Sequence, residues 1–573
     1  MRWWIGAALI ALTGCRAFYV DVDSRVAHRA DQPVDIAPEL PAKQLPVALP
    51  DGVQNTQPWP TGAKLGDPID EPEAILVQTI WQGEQPKTDK QKTMLERLEF
   101  KESILGFKVP DLTLPPFNAP QKEKEEAIRK QFPPLPKIAP LPAEQPGPDG
   151  RALTLGDLQQ IALRTNPLIR QAHQDIQAAR GIALQAGLYP NPVIGYEAGT
   201  IGQGNPDGNR TPGQQGGFVA QTIVTAGKLS LARSAASRDV EIAEQKLKFV
   251  ETEVQTQVRT HYFAVLSARE NYRVTQGLAE LTDELYNVLL LQLLVGEVAA
   301  YEPMQIRVQA MRSRGDLVPS YNRYVAAWRQ LAAALGVPTM QLTALAGRID
   351  MPVPHLEHDR VLAYVLANNS DVIAAQLGVE RARLLTRLAE VQPYPDVAVS
   401  VAMQKDYTTP PFGQVANVSV GVPFPLWNRN QGGVQASRAQ LQRAMLEQSR
   451  VHNELTSRVA ETFQRYANNR QLLEMYKKDM LPQQVQAFRA AVARHAAIGA
   501  KDVSYNDIVT VQQTLANLIG GYLNVLNDQW IAVVDIANLT QTRDLFLTHP
   551  LDDVAPIPDV YDLIRPGLLH HRR

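Results

Sequence analysis

The 573-residue chain has a single cysteine, Cys15, so it carries neither an internal disulfide framework nor a cysteine-rich metal site. It has no charge excess either. The 57 basic and 59 acidic side chains leave a net charge of −2, without the basic surplus that nucleic acid requires, so no nucleic-acid partner is expected. No run of about 20 apolar residues follows the first few positions, and mean hydropathy is −0.21, which excludes a polytopic helical membrane protein. It does not exclude a membrane β-barrel, whose alternating strands leave little trace in mean hydropathy. Catalytic motifs are missing as well. There is no GxSxG, and Ala226-Gly227-Lys228 has Thr222 where a phosphate-binding loop needs its first glycine. His355 and His358 lie three apart without the carboxylate of a zinc motif, and read as two solvated histidines in a linker. No enzymatic activity, cofactor or metal is therefore expected. Wholesale disorder is excluded by a hydrophobic fraction of 45%.

What is present begins at the N-terminus. Met1–Cys15 has one basic residue, Arg2, followed by a short apolar run that is too short to span a bilayer and suits a secretory signal. Leu12-Thr13-Gly14-Cys15 resembles a bacterial lipobox, which implies cleavage before Cys15 and lipidation of that cysteine. An ordinary signal peptide with an incidental cysteine is the alternative. Residues 16–150 form a proline-rich extension holding 21 of the 42 prolines. Runs such as Pro133-Pro134-Leu135-Pro136 exclude helix and central strand, so an extended, partly polyproline segment is expected. It reads as a tether or wrap without chemistry of its own, with two short helical islands, Met94–Gly106 and Gln121–Gln131.

From Leu153 onward proline becomes rare and helix formers dominate. Self-comparison then reveals a repeat. A shift of 203 residues places Asn166 on Asn369, Arg180 on Arg383, Pro190 on Pro393, Gly296 on Gly499 and Gln309 on Gln512. The organisation expected is a first repeat over 151–350, a second over 351–545, and a tail over 546–573.

Each repeat reads helix, strand, strand, long helix, helix. In the first, a helix over Leu155–Leu188 breaks near Asn166-Pro167 and is stopped by Pro190-Asn191-Pro192. Strands are expected at Val193–Ile201 and Phe218–Val224 around a tip rich in glycine, asparagine and proline. The second repeat offers Tyr394–Gln404 and Val415–Phe424. There Val397, Val399, Val401 and Met403 alternate with small or polar residues, as do Val418, Val420, Val422 and Phe424. One apolar face suits a lipid-facing barrel, and a half-buried hairpin on a soluble domain is the alternative. Four strands cannot close a barrel, so closure needs other subunits. After each hairpin comes a very long helical stretch. Lys228–Val295 has no proline, and Val240, Ala243, Leu247, Val250, Val254, Val258, Tyr262 and Val265 step by three or four. Gly432–Ile498 does the same through Leu441, Met445, Leu455, Val459 and Phe463, with a kink expected at Pro482. About 65 residues of helix span roughly 100 Å, a length that suits a conduit better than an enzyme.

These pieces together resemble the TolC-like outer-membrane efflux proteins over Leu153–Leu545. The resemblance is carried by Leu153-Thr154-Leu155, Tyr189-Pro190-Asn191-Pro192, Thr225-Ala226-Gly227-Lys228, the Pro425–Gly432 stretch, Gly296-Glu297-Val298 and Asp507-Ile508-Val509. It implies a mainly α fold with a membrane β-barrel. A homotrimer would give a twelve-stranded barrel in outer-membrane lipid and a helical tunnel through the periplasm. It implies a passive exit duct working with a periplasmic adaptor and an inner-membrane pump. Asn428-Arg429-Asn430-Gln431-Gly432 resembles members paired with pumps of the resistance–nodulation–division type, exporting metal cations or drugs. A type I secretion duct and an extracytoplasmic coiled-coil scaffold are the alternatives.

By position in the resemblance, Glu302 and Asp507 match an acid that lines the periplasmic constriction. The second hairpin is two residues longer than the family pattern, which leaves Asp502 as the alternative to Asp507. A carboxylate ring in a narrow throat would favour cations, whereas an acid in the first turn of a helix is also simply favourable there. Lys501, Asp502 and Tyr505 are the gate contacts expected from position. The hairpin residues Gly296, Glu297, Tyr301, Gly499 and Ser504 are expected to meet the adaptor.

Overall fold

The computed structural model describes residues 112–559, apart from 117–118, 139, 141–142, 148–149, 203–207, 209, 497–504, 544 and 546–549. Cys15, the signal segment and the expected helix at Met94–Gly106 lie outside the described residues.

The repeat is realised as two copies of one unit. The first contains α2 (Leu155–Thr165), α3 (Pro167–Ala186), β1 (Val193–Gly199), β2 (Gln214–Ile223), α4 (Lys228–Val295) and α5 (Tyr301–Ala334). Ahead of it stands α1 (Gln121–Gln131), the second helix expected in the extension. After a short strand, β3 (Val353–Pro354), the second unit runs α6 (His358–Asn368), α7 (Ser370–Val391), β4 (Val397–Asp406), β5 (Gln414–Gly421), α8 (Gln431–Met475), α9 (Leu481–Ala496) and α10 (Tyr505–Thr540). Strand β6 (Leu551–Asp552) follows and pairs with β3.

Local chemistry sets the boundaries. Thr154 caps α2 by accepting the Asp157 N–H at 3.2 Å, while the Asp157 carboxylate accepts the Thr154 N–H at 3.0 Å. Asn166 ends α2 and caps α3, whose first residue is Pro167. Helix α4 runs unbroken for 68 residues, about 100 Å. The kink expected at Pro482 takes the form of a π-helical turn at Tyr476–Met480, between α8 and α9. Proline has no N–H to return to the preceding turn, and the wider turn accommodates that loss.

The four long strands form one antiparallel sheet in the order β1-β2-β4-β5. Ile194, Val219, Val401 and Val418 stand opposite one another in a single cross-strand row. Two residues along, the same face carries Tyr196, Gly217, Met403 and Ala416. The adjacent row on the other face is Val193, Ala220, Ser400 and Ser419. Ile194 and Val418 are 78% and 67% exposed, so the apolar face is bare in the single chain. Strand β2 starts at Gln214, four residues before the expected Phe218, because Gly216 and Gly217 belong to the sheet rather than to the tip. A Cβ at Gly216 would collide with the Met403 carbonyl oxygen, so glycine there reflects close strand approach.

The core lies where the rods meet the short helices. Val254, Val258, Tyr262 and Val265 are buried there, as are Leu455, Val459 and Phe463. The sheet-proximal seam positions Val240, Ala243, Leu247 and Val250 are only half-buried. Phe263 stacks on Trp530 with centroids 4.3 Å apart, and the Trp530 indole donates to the Ile349 carbonyl at 2.9 Å. Arg259, fully buried, donates to the carbonyls of Thr542 and Arg543 at 2.9 and 2.6 Å, just past the C-terminus of α10. The described part of the tail returns to this core. Tyr522 donates to the Ala555 carbonyl, and Ile557 is buried. His355 is accordingly not free in a linker: its ring lies 3.2 Å from Asp552, and its backbone N–H bonds the Pro550 carbonyl. His358 packs edge-on against Phe463.

Candidate functional site

Two joints connect the sheet to the rods. In the first, Ala226 and Gly227 both adopt positive φ, and Gly227 precedes α4. Lys228, 8% exposed, places its ammonium 2.9 Å from Asp396 and bonds the Tyr394 carbonyl, tying α4 to the chain entering β4. Thr225 adds its N–H to Asp396 at 3.0 Å and its hydroxyl to the Pro395 carbonyl at 2.7 Å. Asn430 occupies the repeat-related place at the start of α8. It too has positive φ, and its side-chain amide donates to the Ala389 carbonyl at 2.8 Å. Both turns therefore act as corner braces between sheet and rod.

At the opposite end of the rods, α4 turns into α5. Gly296 adopts φ 85°, and its N–H and that of Glu297 both return to the Gln292 carbonyl at 2.9 Å, closing α4. Glu297 and Tyr301 are exposed. Glu302 stands in the first turn of α5, half-buried, and its carboxylate accepts the Ala299 N–H at 3.3 Å. This local bond is what an acid at a helix start makes. Asp507 stands in the first turn of α10 and is exposed. Both acids thus open the second helix of their hairpin. Gly499, Lys501, Asp502 and Ser504 lie outside the described residues, as does the side chain of Tyr505.

A hydrophobic cluster lies beside both acids. Leu285, Tyr286 and Leu289 of α4, Ile306 of α5 and Ile508 of α10 belong to it. Its remaining buried member is Phe132, 3% exposed, from the proline-rich extension. Nothing in the sequence pattern assigns that extension definite contacts. The structure seats it on α5. The Arg307 guanidinium donates to the Pro133 carbonyl at 2.9 Å, and Arg314 to the Pro136 carbonyl at 3.0 Å. Arg314 also makes a two-pronged pair with Asp283 of α4 at 2.5 Å on each prong. Burial pushes the Asp283 carboxyl above its ordinary range, with Arg314 working against that push. Tyr324 donates to the Glu144 carboxylate at 2.5 Å, and burial together with this contact raises its phenol well above the usual value. Every third residue of the ribbon, Phe132, Leu135 and Ile138, faces inward, with Phe132 buried and the other two half-buried.

Among the described residues, no cluster of His, Cys, Asp and Glu is arranged to hold a metal ion, and no helix is long and apolar enough to cross a membrane.

Known proteins share this architecture. The cobalt-zinc-cadmium resistance protein CzcC of Cupriavidus metallidurans is 26% identical over 395 residues, spanning 69% of this chain and 90% of that protein. The crystal structure of the outer membrane protein VceC from Vibrio cholerae superposes with a TM-score of 0.56 at 15% identity, covering 68% of this chain and 96% of VceC. A membrane protein from Pseudomonas aeruginosa gives 0.57 at 13% identity, over 67% of this chain and 92% of the other. The family profile described as outer membrane efflux protein matches residues 158–337 and 361–538, one segment in each repeat and more than half of the sequence. The chain belongs to the outer membrane efflux protein family.

Proposed function

We propose that the chain is one subunit of a trimeric, passive exit duct without catalysis of its own, receiving cargo from a periplasmic adaptor and an inner-membrane pump of the resistance–nodulation–division type. The observation that carries this reading is the four-stranded sheet. It has an apolar row, Ile194-Val219-Val401-Val418, on one face, with β1 and β5 as its edges. Two open edges and a bare apolar face are unfavourable in a lone chain and favourable in a closed barrel set in lipid. Three copies supply twelve strands, an even number within the usual range of outer-membrane barrels. The half-buried sheet-proximal seam of α4 supports the same reading, since neighbouring rods would cover it.

Metal cations are the proposed cargo class, supported by the likeness to CzcC, with drug efflux the second. Glu302 and Asp507 are proposed to line the throat, where paired rings of carboxylates would favour cations. Lys501, Asp502 and Tyr505 are the proposed gate contacts, and the turns at Gly296–Tyr301 and Gly499–Ser504 the proposed adaptor contacts. Cys15 is the proposed lipid anchor. In outer-membrane fractions, amine cross-linking is expected to yield a trimer, and the purified protein is expected to conduct ions in a planar bilayer. A monomer that stays in solution without detergent and carries no current would overturn the proposal.

A further inference from the structure

The extension does more than trail from the first repeat. Three described points of the extension meet α5, each further along that helix than the last. Pro133 meets Arg307, Pro136 meets Arg314, and Glu144 meets Tyr324. Gln145 then exchanges backbone bonds with Leu342 and Ala344 at 2.8 and 2.9 Å. The two periods match. Seven residues of α-helix advance about 10.5 Å and three residues of extended chain about 10 Å, so arginines a heptad apart meet carbonyls three residues apart. The same ribbon turns Phe132, Leu135 and Ile138 inward. Ile138 packs on the cluster formed by Tyr272, Ala279 and Leu317.

Among the described residues, only the first hairpin is dressed in this way. At the repeat shift of 203, Thr510 and Asn517 stand where Arg307 and Arg314 do, so the second hairpin lacks both guanidinium donors. The lower end of the strap nevertheless touches both hairpins' territory. Phe132 shares its cluster with Ile306, one helical turn beyond Glu302, and with Ile508, next to Asp507. The strap also precedes the residues matched by the family profile.

We propose that this strap, the described residues between 112 and 147, is an internal brace that ties the first hairpin to the second beside the constriction and biases the duct toward its closed form. Splaying the hairpins would pull Ile306 and Ile508 apart and expose Phe132 and the clusters that bury it. A partner that opens the duct has to offset this loss. The proposal rests on the duct reading above.

The test uses the full-length protein in planar bilayers, with trypsin cleavage in α1 as a separate readout, since Lys122, Lys124, Arg129 and Lys130 lie there. Phe132→Ala and Arg307→Gln are expected to speed cleavage in α1 and to raise the open-to-closed ratio by about tenfold, the order that loss of one packed contact gives. Phe132→Leu is expected to restore both toward wild type. Faster cleavage with unchanged gating overturns the brace, because the strap is then a cover only. Unchanged cleavage and gating in both variants overturns it too, because these contacts then do not hold the strap. Neither result touches the duct reading, which fails instead if the wild-type protein itself carries no current.

Discussion

Asn369 holds the Leu539 carbonyl with its side-chain amide at 2.9 Å, while its side-chain oxygen accepts the Asp371 N–H at 2.9 Å. One residue thus caps α7 and anchors the end of α10. Asn166 does the same in the first repeat, bonding the Ala334 carbonyl and the Leu168 N–H, both at 2.9 Å. Replacing Asn369 with Ala removes a cap worth about 1 kcal/mol and strands a buried carbonyl at about 1–3 kcal/mol. Asn369→Ala is expected to lower the thermal midpoint of the detergent-solubilised protein, and so is Asn369→Asp, which keeps the cap but sets a buried carboxylate against the Leu539 carbonyl. Equal midpoints for the three proteins would remove the double role.

The Arg314–Asp283 pair is a second stability point. The two side chains are 12% and 21% exposed, so removing one partner leaves a poorly solvated charge. Arg314→Ala is expected to cost about 3 kcal/mol in denaturant unfolding. Arg314→Met combined with Asp283→Leu is expected to cost less than the single change, since no buried charge is left behind.

The two faces of the sheet should respond oppositely to charge. Val401→Arg places a guanidinium in the apolar row and is expected to cost about 2–4 kcal/mol per chain near the bilayer midplane. Ser400→Arg, one residue along on the other face, is expected to leave outer-membrane assembly intact. Assembly is read by cross-linking and heat-modifiable gel migration. Equal tolerance of both changes would argue against a lipid-facing role for the row.

Ion selectivity tests the throat. Glu302→Gln and Asp507→Asn together are expected to lower the cation-to-anion permeability ratio in single-channel recordings, with the helices intact by circular dichroism. An unchanged ratio would reduce both acids to helix-start residues. Asp502→Asn, measured separately, distinguishes the two registers of the second hairpin.

His261 supplies a pH dependence. Burial alone lowers its pKa from the ordinary 6.5. Between the lowered value and 6.5 the unfolded chain binds more protons than the folded one, so stability rises with pH across that window. Acidification from neutrality through 6.5 is therefore expected to lower the thermal midpoint. In His261→Gln that part of the slope should flatten, and an unaltered slope would show that His261 does not contribute.

Much of this architecture is legible in the residues. The unbroken run Lys228–Val295 is one helix because no proline interrupts it, and the break at Asn166-Pro167 falls where a cap and a first-turn proline coincide. The strand Gln214–Ile223 is harder to delimit, because Gly216 and Gly217 carry the composition of a loop, and Gly216 owes its place to the Met403 carbonyl across the sheet. The strap was illegible for a related reason. Its bonds join residues about 170–180 apart, Pro133 to Arg307 and Glu144 to Tyr324, and no local pattern announces such partners.

The sequence by itself determined the repeat, the alternation of its strands and the length of its rods, because these follow from periodicity along one stretch of chain. Tertiary structure alone decided that the Thr225–Lys228 turn is a corner brace, that His355 is held against Asp552, and that a proline ribbon is bolted to α5 beside Glu302 and Asp507. Each of those depends on groups far apart in sequence meeting at hydrogen-bond distance, a relation that only the folded backbone creates.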